Sequence, residues 1–400
     1  MDFLTRGDLM AGFVLHAGLG LCVALVVSFL YQSTSGQKLP LHGAEYGIYP
    51  RRVLQYIYHA QSMYDKGYAK FKDALYRMTT ADGEKVVVPL KYLEELRGKP
   101  EDQINNAKAH ERKLPHITRR LAEEVERTLR AELPQHRDWT SINVNDHVSR
   151  IIAIVSGNIL VGPPLCYDEE YLHAAMHYSR DISAAIRALK VWPRILRPVA
   201  QYFLPQVGVI RKYRKKAKTM LQPLIEEIRT TISKGNEAPD TVLAWMVEKS
   251  QEFQVDDDEL ANTQLVLIMA GIHTTNMTIT HMLYDLAAYP ECIKDLRDEI
   301  TSVLAEHGGV LSSGALFQMK LLDSFMLESQ RHNPIQMSES LFLFPHSVPP
   351  WAVGAGAPVT LNDGTQIPAG VIIEAPHVAI VQDPSFYPDP EAGVQPFPDP

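Results

Sequence analysis

Cysteine is scarce in this chain. The three residues present among 400, Cys22, Cys166 and Cys292, are too few and too scattered for a disulfide framework. No Cys-x-x-Cys or Cys/His cluster offers the spacing of a zinc site, so no metal ligands are read from the sequence and a reducing compartment is the default. Positive charge is short as well. Lys and Arg number 39 against 47 Asp and Glu, and the formal net charge of −8 has the wrong sign for a binder of phosphate backbones, so no nucleic-acid partner is expected. The one dense basic run, residues 211–218 (RKYRKKAK), reads as the solvated face of a helix, with a membrane-surface or partner contact as the alternative. Also missing are the G-x-S-x-G elbow, H-E-x-x-H, the P-loop and the dinucleotide glycine fingerprint, which removes the enzyme classes built on them. What remains is a globular composition, 46% hydrophobic and 22% charged, able to bury a large core.

Long apolar runs are absent except at the amino end. Residues 9–31 (LMAGFVLHAGLGLCVALVVSFLY) carry no Asp, Glu, Lys or Arg, and a helix needs roughly 20 such residues to cross a bilayer core. A signal peptide would have a shorter apolar stretch and a small-residue cleavage site. The reading is therefore one transmembrane anchor with its linker, residues 1–38, followed by a body over residues 39–400. Arg6 is offset by Asp2 and Asp8, whereas Lys38, Arg51 and Arg52 follow the span; the positive-inside tendency puts the body in the cytosol.

The body opens with a small β element. Two short runs flank Ala81-Asp82-Gly83, and Asp-Gly is a hairpin signal. Helical spacing dominates after it: residues 116–133, 146–160, 216–232 and 240–251 all repeat apolar residues by three and four with charges between. No internal repeat or low-complexity tract interrupts them. The fold class is mainly α with small β elements.

One stretch breaks its own pattern. Residues 256–290 start with acids suited to a helix amino end and stop at Pro290, giving a helix of about 30 residues, about 45 Å long. Its middle reads AGIHTTNMT. Gly271 costs a helix interior about 1 kcal/mol relative to alanine, so something must compensate. Either the backbone is approached closely by a large flat ligand, with Thr274 and Thr275 presenting hydroxyls to it or bonding back to carbonyls one turn earlier, or the site packs small residues against another helix. A later helix ends at Pro334 and carries Glu328 and Arg331 at i, i+3 on one face. Alone, such a pair is usually a surface ion pair of little worth.

Taken together, AGIHTT and ESQR in this order resemble the cytochrome P450 monooxygenases, in the manner of fungal microsomal members related to ent-kaurene oxidase. The likeness extends over most of residues 39–391 and includes residues 359–391, which look like the family's β segment before the haem site. The resemblance implies a cytochrome P450-like fold, haem as cofactor, NADPH-cytochrome P450 reductase as electron donor, a lipophilic small-molecule substrate such as a terpenoid, and attachment to the endoplasmic reticulum membrane as a single-pass protein. It implies that Thr274 is the catalytic threonine that helps deliver protons to dioxygen, that Ala270, Gly271 and Thr275 form the helix surface against the porphyrin, and that Glu328 and Arg331 support the haem site structurally. His273 stands where many relatives have an acid.

Three departures qualify the likeness. The family's axial ligand sits in Phe-x-x-Gly-x-x-x-Cys-x-Gly, and no such loop precedes Pro400; Cys166, Cys292 and Cys22 have no comparable context. The closing residues 392–400 (AGVQPFPDP) replace the segment bearing an arginine partner of the Glu-x-x-Arg pair. Residues 338–358 have neither a helix nor a strand period and read as out-of-frame sequence, and the segment around residues 104–120 is much shorter than in the family. The expectation is a domain incomplete at its carboxyl end, a monooxygenase by ancestry whose 400-residue form is inactive, with a haemless, membrane-anchored remnant that binds an apolar ligand or partner as the alternative.

Overall fold

The computed structural model describes residues 39–97, 114–133, 138, 140–253, 255–335, 339–342, 359–367 and 372–390. The anchor at residues 9–31, most of the shortened segment and the closing residues 392–400 lie outside them. Among the described residues no helix is long and apolar enough to cross a membrane. The chain divides into two compact units. One comprises residues up to 108, 189–200 and 336–386; the other comprises 109–188, 201–335 and 387–400.

The first unit is built on a five-stranded sheet of β1 (Leu41–His42), β2 (Tyr76–Thr80), β3 (Gly83–Val87), β4 (Glu339–Phe342) and β7 (Ile372–Ala375), in the order β1-β2-β3-β7-β4. The expected hairpin is β2 to β3, antiparallel, with Thr80 opposite Gly83. Gly83 takes φ 122°, a value that a side chain would resist. The turn is clamped from outside: Lys190 Nζ lies 2.6 Å and Arg197 Nη1 3.2 Å from the Asp82 carboxylate. Burial alone would raise the Asp82 pKa, but these two cations hold it below the usual carboxylate range.

Helix α1 (Tyr49–Lys70) lies on this sheet, with Met63 and Tyr64 packed against Tyr76, Met78 and Val87. Gly67 is what lets it come close, since a Cβ there would sit 2.6 Å from the Tyr76 hydroxyl oxygen. Glu374 on β7 is buried but answered, receiving hydrogen bonds from the Tyr64 hydroxyl and the Lys85 ammonium. β5 (Val359–Thr360) and β6 (Gln366–Ile367) form a second hairpin, whose Val359 and Ile367 join Val86, Leu361 and Ile373 in an apolar core.

Within residues 338–358, where no period was read, residues 339–342 form strand β4, and the others lie outside the described residues. The four residues of β4 pair antiparallel with β7 in the register Glu339↔Ala375 to Phe342↔Ile372. Four residues are too short for a period to show, and ladder hydrogen bonds from β7 stabilise the extended backbone whatever the alternation.

The second unit is helical. After α2 (Leu93–Arg97) in the first unit come α3 (Leu114–Glu132), α4 (Val144–Leu160), α5 (Glu169–Lys190), α6 (Pro205–Ser233) and α7 (Val242–Phe253); the predicted stretches fall on α3, α4 and α7 to within a residue or two at their ends, and on α6, which starts well before the predicted residue 216. Their core gathers Ile152, Leu172, Ile225, Leu243, Leu260 and Ile272. The basic run lies on α6, where Lys216 reaches Glu170 and Lys218 reaches Asp258 at the surface while Tyr213 and Ala217 turn inward, as a solvated face requires.

The predicted long helix is present from Asp257 to Ala288, in three parts: α8 (Asp257–Ile268), a π turn (Met269–His273) and α9 (Thr274–Ala288). Asp256 caps it by accepting from the Glu259 N–H at 2.8 Å, and three further acids fill the first turn, where the helix dipole favours them. Beyond Pro290 follow α10 (Cys292–Glu306), α11 (Ser313–Gln318) and α12 (Lys320–His332).

Candidate functional site

The centre of the long helix has two unlike sides. Ile268, Ile272, Asn276 and Thr280, at steps of four, are buried, with Ile268 and Ile272 in the main core of the unit. Ala270, Gly271 and Thr275 face out, and Val266 is 52% exposed. A Cβ on Gly271 would meet no heavy atom within 4 Å. Small-residue packing against another helix is thereby removed as the reason for this glycine among the described residues. Among the described residues the backbone here is exposed.

Thr274 is half-buried, and its hydroxyl donates to the Ala270 carbonyl at 2.6 Å. This is the back-bonding expected of a mid-helix threonine, and it supplies a donor inside the widened turn; Thr278 repeats it to the Thr274 carbonyl at 3.1 Å. A π turn is a rare element that recurs at functional sites. Of the residues singled out in the sequence, Ala270, Gly271, Thr274 and Thr275 are thus brought together at one opening of one helix. His273 turns elsewhere, into a cavity of about 540 Å³ that it shares with Asn276, Arg150 and His177.

The Glu328/Arg331 pair is buried, not superficial. Arg331 grips the carboxylate with Nε at 2.8 Å and Nη2 at 2.7 Å, a bidentate fork between side chains each 6% exposed. Hydrogen bonding to Glu328 pushes the Arg331 pKa up, so the guanidinium stays charged throughout the accessible pH range. Three further partners join the pair, of which only His332, at i+4 from Glu328, lies within reach of local spacing. His332 Nε2 lies 3.3 Å from the same carboxylate, Arg331 Nη1 donates to the Pro390 carbonyl at 2.9 Å, and the Tyr387 ring lies under the guanidinium at 4.9 Å. Only folding brings residues near 390 to a helix ending at 332. Nearby, Asp285 ties α9 to α12 by accepting from Ser329 Oγ at 2.5 Å and Asn333 Nδ2 at 3.2 Å. The i, i+4 spacing of Ser329 and Asn333 was the available signal for that network.

The cysteines do not suit an iron ligand. Cys166 is wholly buried in the apolar core, and burial pushes its thiol up to about 11. Cys292 packs with Leu296 and Phe325; burial, and then the nearby Glu291 and Asp295, raise its pKa too. A thiolate ligand needs the opposite environment, one that favours the ionised sulfur and leaves it accessible. Cys22 lies outside the described residues. The helix surface at Gly271 carries no described side chain against it, while the described thiols do not suit the axial position of a haem.

Known proteins are similar to this chain in sequence. The Cytochrome P450 family profile matches residues 73–392. A cytochrome P450 monooxygenase of Annulohypoxylon truncatum is 33% identical over 384 residues, covering 88% of this chain and 74% of the relative. Another from Emericella nidulans is 31% identical over 397 residues, covering 91% and 72%. An ent-kaurene oxidase of Fusarium fujikuroi is 28% identical over 420 residues, covering 97% and 76%. Haem is the cofactor of this family, held by a cysteine thiolate. With a profile match across most of its length and a relative 33% identical over most of both chains, the chain belongs to the cytochrome P450 family of monooxygenases.

Proposed function

We propose that this protein descends from a haem-thiolate monooxygenase of a lipophilic secondary metabolite such as a terpenoid, supplied with electrons by NADPH-cytochrome P450 reductase. Residues 9–31 anchor it in the endoplasmic reticulum membrane with its body towards the cytosol. The observation that carries this reading is the opening at Gly271: a helix accepts its poorest ordinary former at a point where no described side chain would use the space. Ala270, Gly271 and Thr275 would border the porphyrin, and Thr274 would hold or pass a proton through its hydroxyl. Glu328 and Arg331 would brace the polypeptide beneath. When bound through a thiolate, the haem supplies activation of dioxygen.

These 400 residues as they stand are a haem-free form in our reading, because Cys166 and Cys292 are buried neutral thiols. This favours the second reading for the given chain, that of a membrane-anchored protein able to bind an apolar molecule without catalysis. The test is the reduced carbon monoxide difference spectrum of the purified chain reconstituted with haem and reductase. No thiolate-type band and no NADPH-dependent oxidation are expected. A thiolate band that disappears in Cys166→Ser or Cys292→Ser would overturn the haem-free reading. For the ancestry, a gene product reading into a Cys loop should regain the band, and its failure to do so would count against the monooxygenase proposal.

A further inference from the structure

We propose that His42 makes β1 an acid-released latch: protonation of its imidazole, which the closed strand cannot accommodate, frees β1 from β2. The strand is slight, two residues paired parallel to Arg77 and Met78. Its approach is held by Arg77 alone, whose Nε donates to the Leu39 carbonyl at 3.1 Å and whose N–H donates to the Pro40 carbonyl at 2.7 Å. Yet its second residue is a histidine only 4% exposed, and among the described residues neither ring nitrogen has a hydrogen-bond partner. The rings of Phe71 and Tyr76 enclose it edge to face, with centroids 6.2 and 5.8 Å away. A neutral imidazole leaves one N–H unanswered in this pocket. An imidazolium would leave two, together with a buried charge, which is a far larger desolvation cost.

The charges around the ring do not rescue the protonated form. Glu45 on the turn after the strand favours the proton, as does the nearby Met63 backbone, which lies outside hydrogen-bonding geometry; Lys70 and Lys66 on α1 oppose it, and β2 contributes the neutral ring of Tyr76. Burial is the largest influence and holds His42 below the ordinary histidine value. The closed strand therefore binds this proton less readily than the open one. Its stability is complete above about pH 6.5, where histidine is neutral in both forms, and declines as the pH falls below that. Gly43, next in sequence at φ 86°, gives the strand a pivot. With residues 9–31 in a bilayer as proposed above, release would lengthen the tether between anchor and sheet, although the latch itself needs no anchor.

The test is hydrogen exchange of the purified full chain between pH 8 and pH 5, corrected for intrinsic rates and read by mass spectrometry on peptides covering residues 39–47 and 76–80. Protection there should hold down to about pH 6.5 and then fall by up to about tenfold per pH unit, while peptides of α6 and of the β5–β6 hairpin stay protected. His42→Phe and His42→Leu, which fill the pocket without a titrating group, should keep β1 protected to pH 5. His281→Gln on α9 should open as the parent does. Protection in the parent that is constant to pH 5, or an acid loss that survives in a folded His42 variant, would overturn the proposal. Should both variants unfold, the imidazole resonances of His42 in the parent decide. Titration below the ordinary histidine range, in step with lost protection, supports the latch; titration near pH 6.5 with β1 still protected overturns it.

Discussion

Among single residues, Glu328 and Arg331 carry a large free-energy effect. Both charges are out of water, and each is tolerable only because the other answers it through two short hydrogen bonds. Removing one partner leaves an unpaired buried charge, so Arg331→Ala is expected to lower unfolding stability by roughly 3–5 kcal/mol. Arg331→Ala combined with Glu328→Ala should cost less than the two single changes added together. Urea unfolding of the four proteins measures both. If Arg331→Ala loses under about 1 kcal/mol, the pair is behaving as an exposed bridge, and the assignment of a bracing role fails with it. Local spacing put the two side chains within reach, yet burial and the additional contact to Pro390 depend on distant chain, which no i, i+3 rule contains.

Among the helices, the central one is understood through its π turn. The turn spans Met269–His273, and Thr274 returns a hydroxyl to Ala270 just at its exit. Gly271 contributes nothing to packing among the described residues, since no atom lies within 4 Å of where its Cβ would be. Its φ is not in the left-handed region either, so alanine is sterically free to replace it. Gly271→Ala should therefore stabilise the 400-residue protein by about 0.5–1 kcal/mol, the helix-propensity difference, read as a higher urea midpoint at unchanged slope. A destabilised variant would show that some neighbour occupies the space after all. The stabilising outcome is what a site retained for a ligand predicts, because the local rule is broken without any gain within the polypeptide.

For the molecule as a whole, the amino-terminal run bears on where everything else operates. If residues 9–31 span a bilayer as proposed, the expressed protein should stay in the membrane pellet after alkaline carbonate washing; release of the full chain into the supernatant would remove the anchor. The reduced carbon monoxide spectrum reports on this scale too, because an axial ligand is a property of the assembled chain and of no single helix.

Much of the architecture was already written in local chemistry. The acids at residues 256–259 and Pro290 delimit the long helix, Asp82-Gly83 sets a hairpin, and apolar residues at three and four predict α3, α4, α6 and α7, because caps, turns and amphipathic stripes are determined by neighbours in sequence. The AGIHTT and ESQR motifs likewise located the candidate site and the family. Other features required long-range packing. Strand β4 exists through its pairing with β7 some thirty residues on, and a four-residue strand has no period to read. The burial of Glu328 and Arg331, the open space beside Gly271 and the inward position of Cys166 each depend on which distant segments pack there and which do not. Residue types and their local spacing came from the sequence; accessibility, and with it the difference between a surface ion pair and a buried brace or between a ligand thiolate and an inert thiol, was set by the fold, because desolvation is a property of all the atoms surrounding a group.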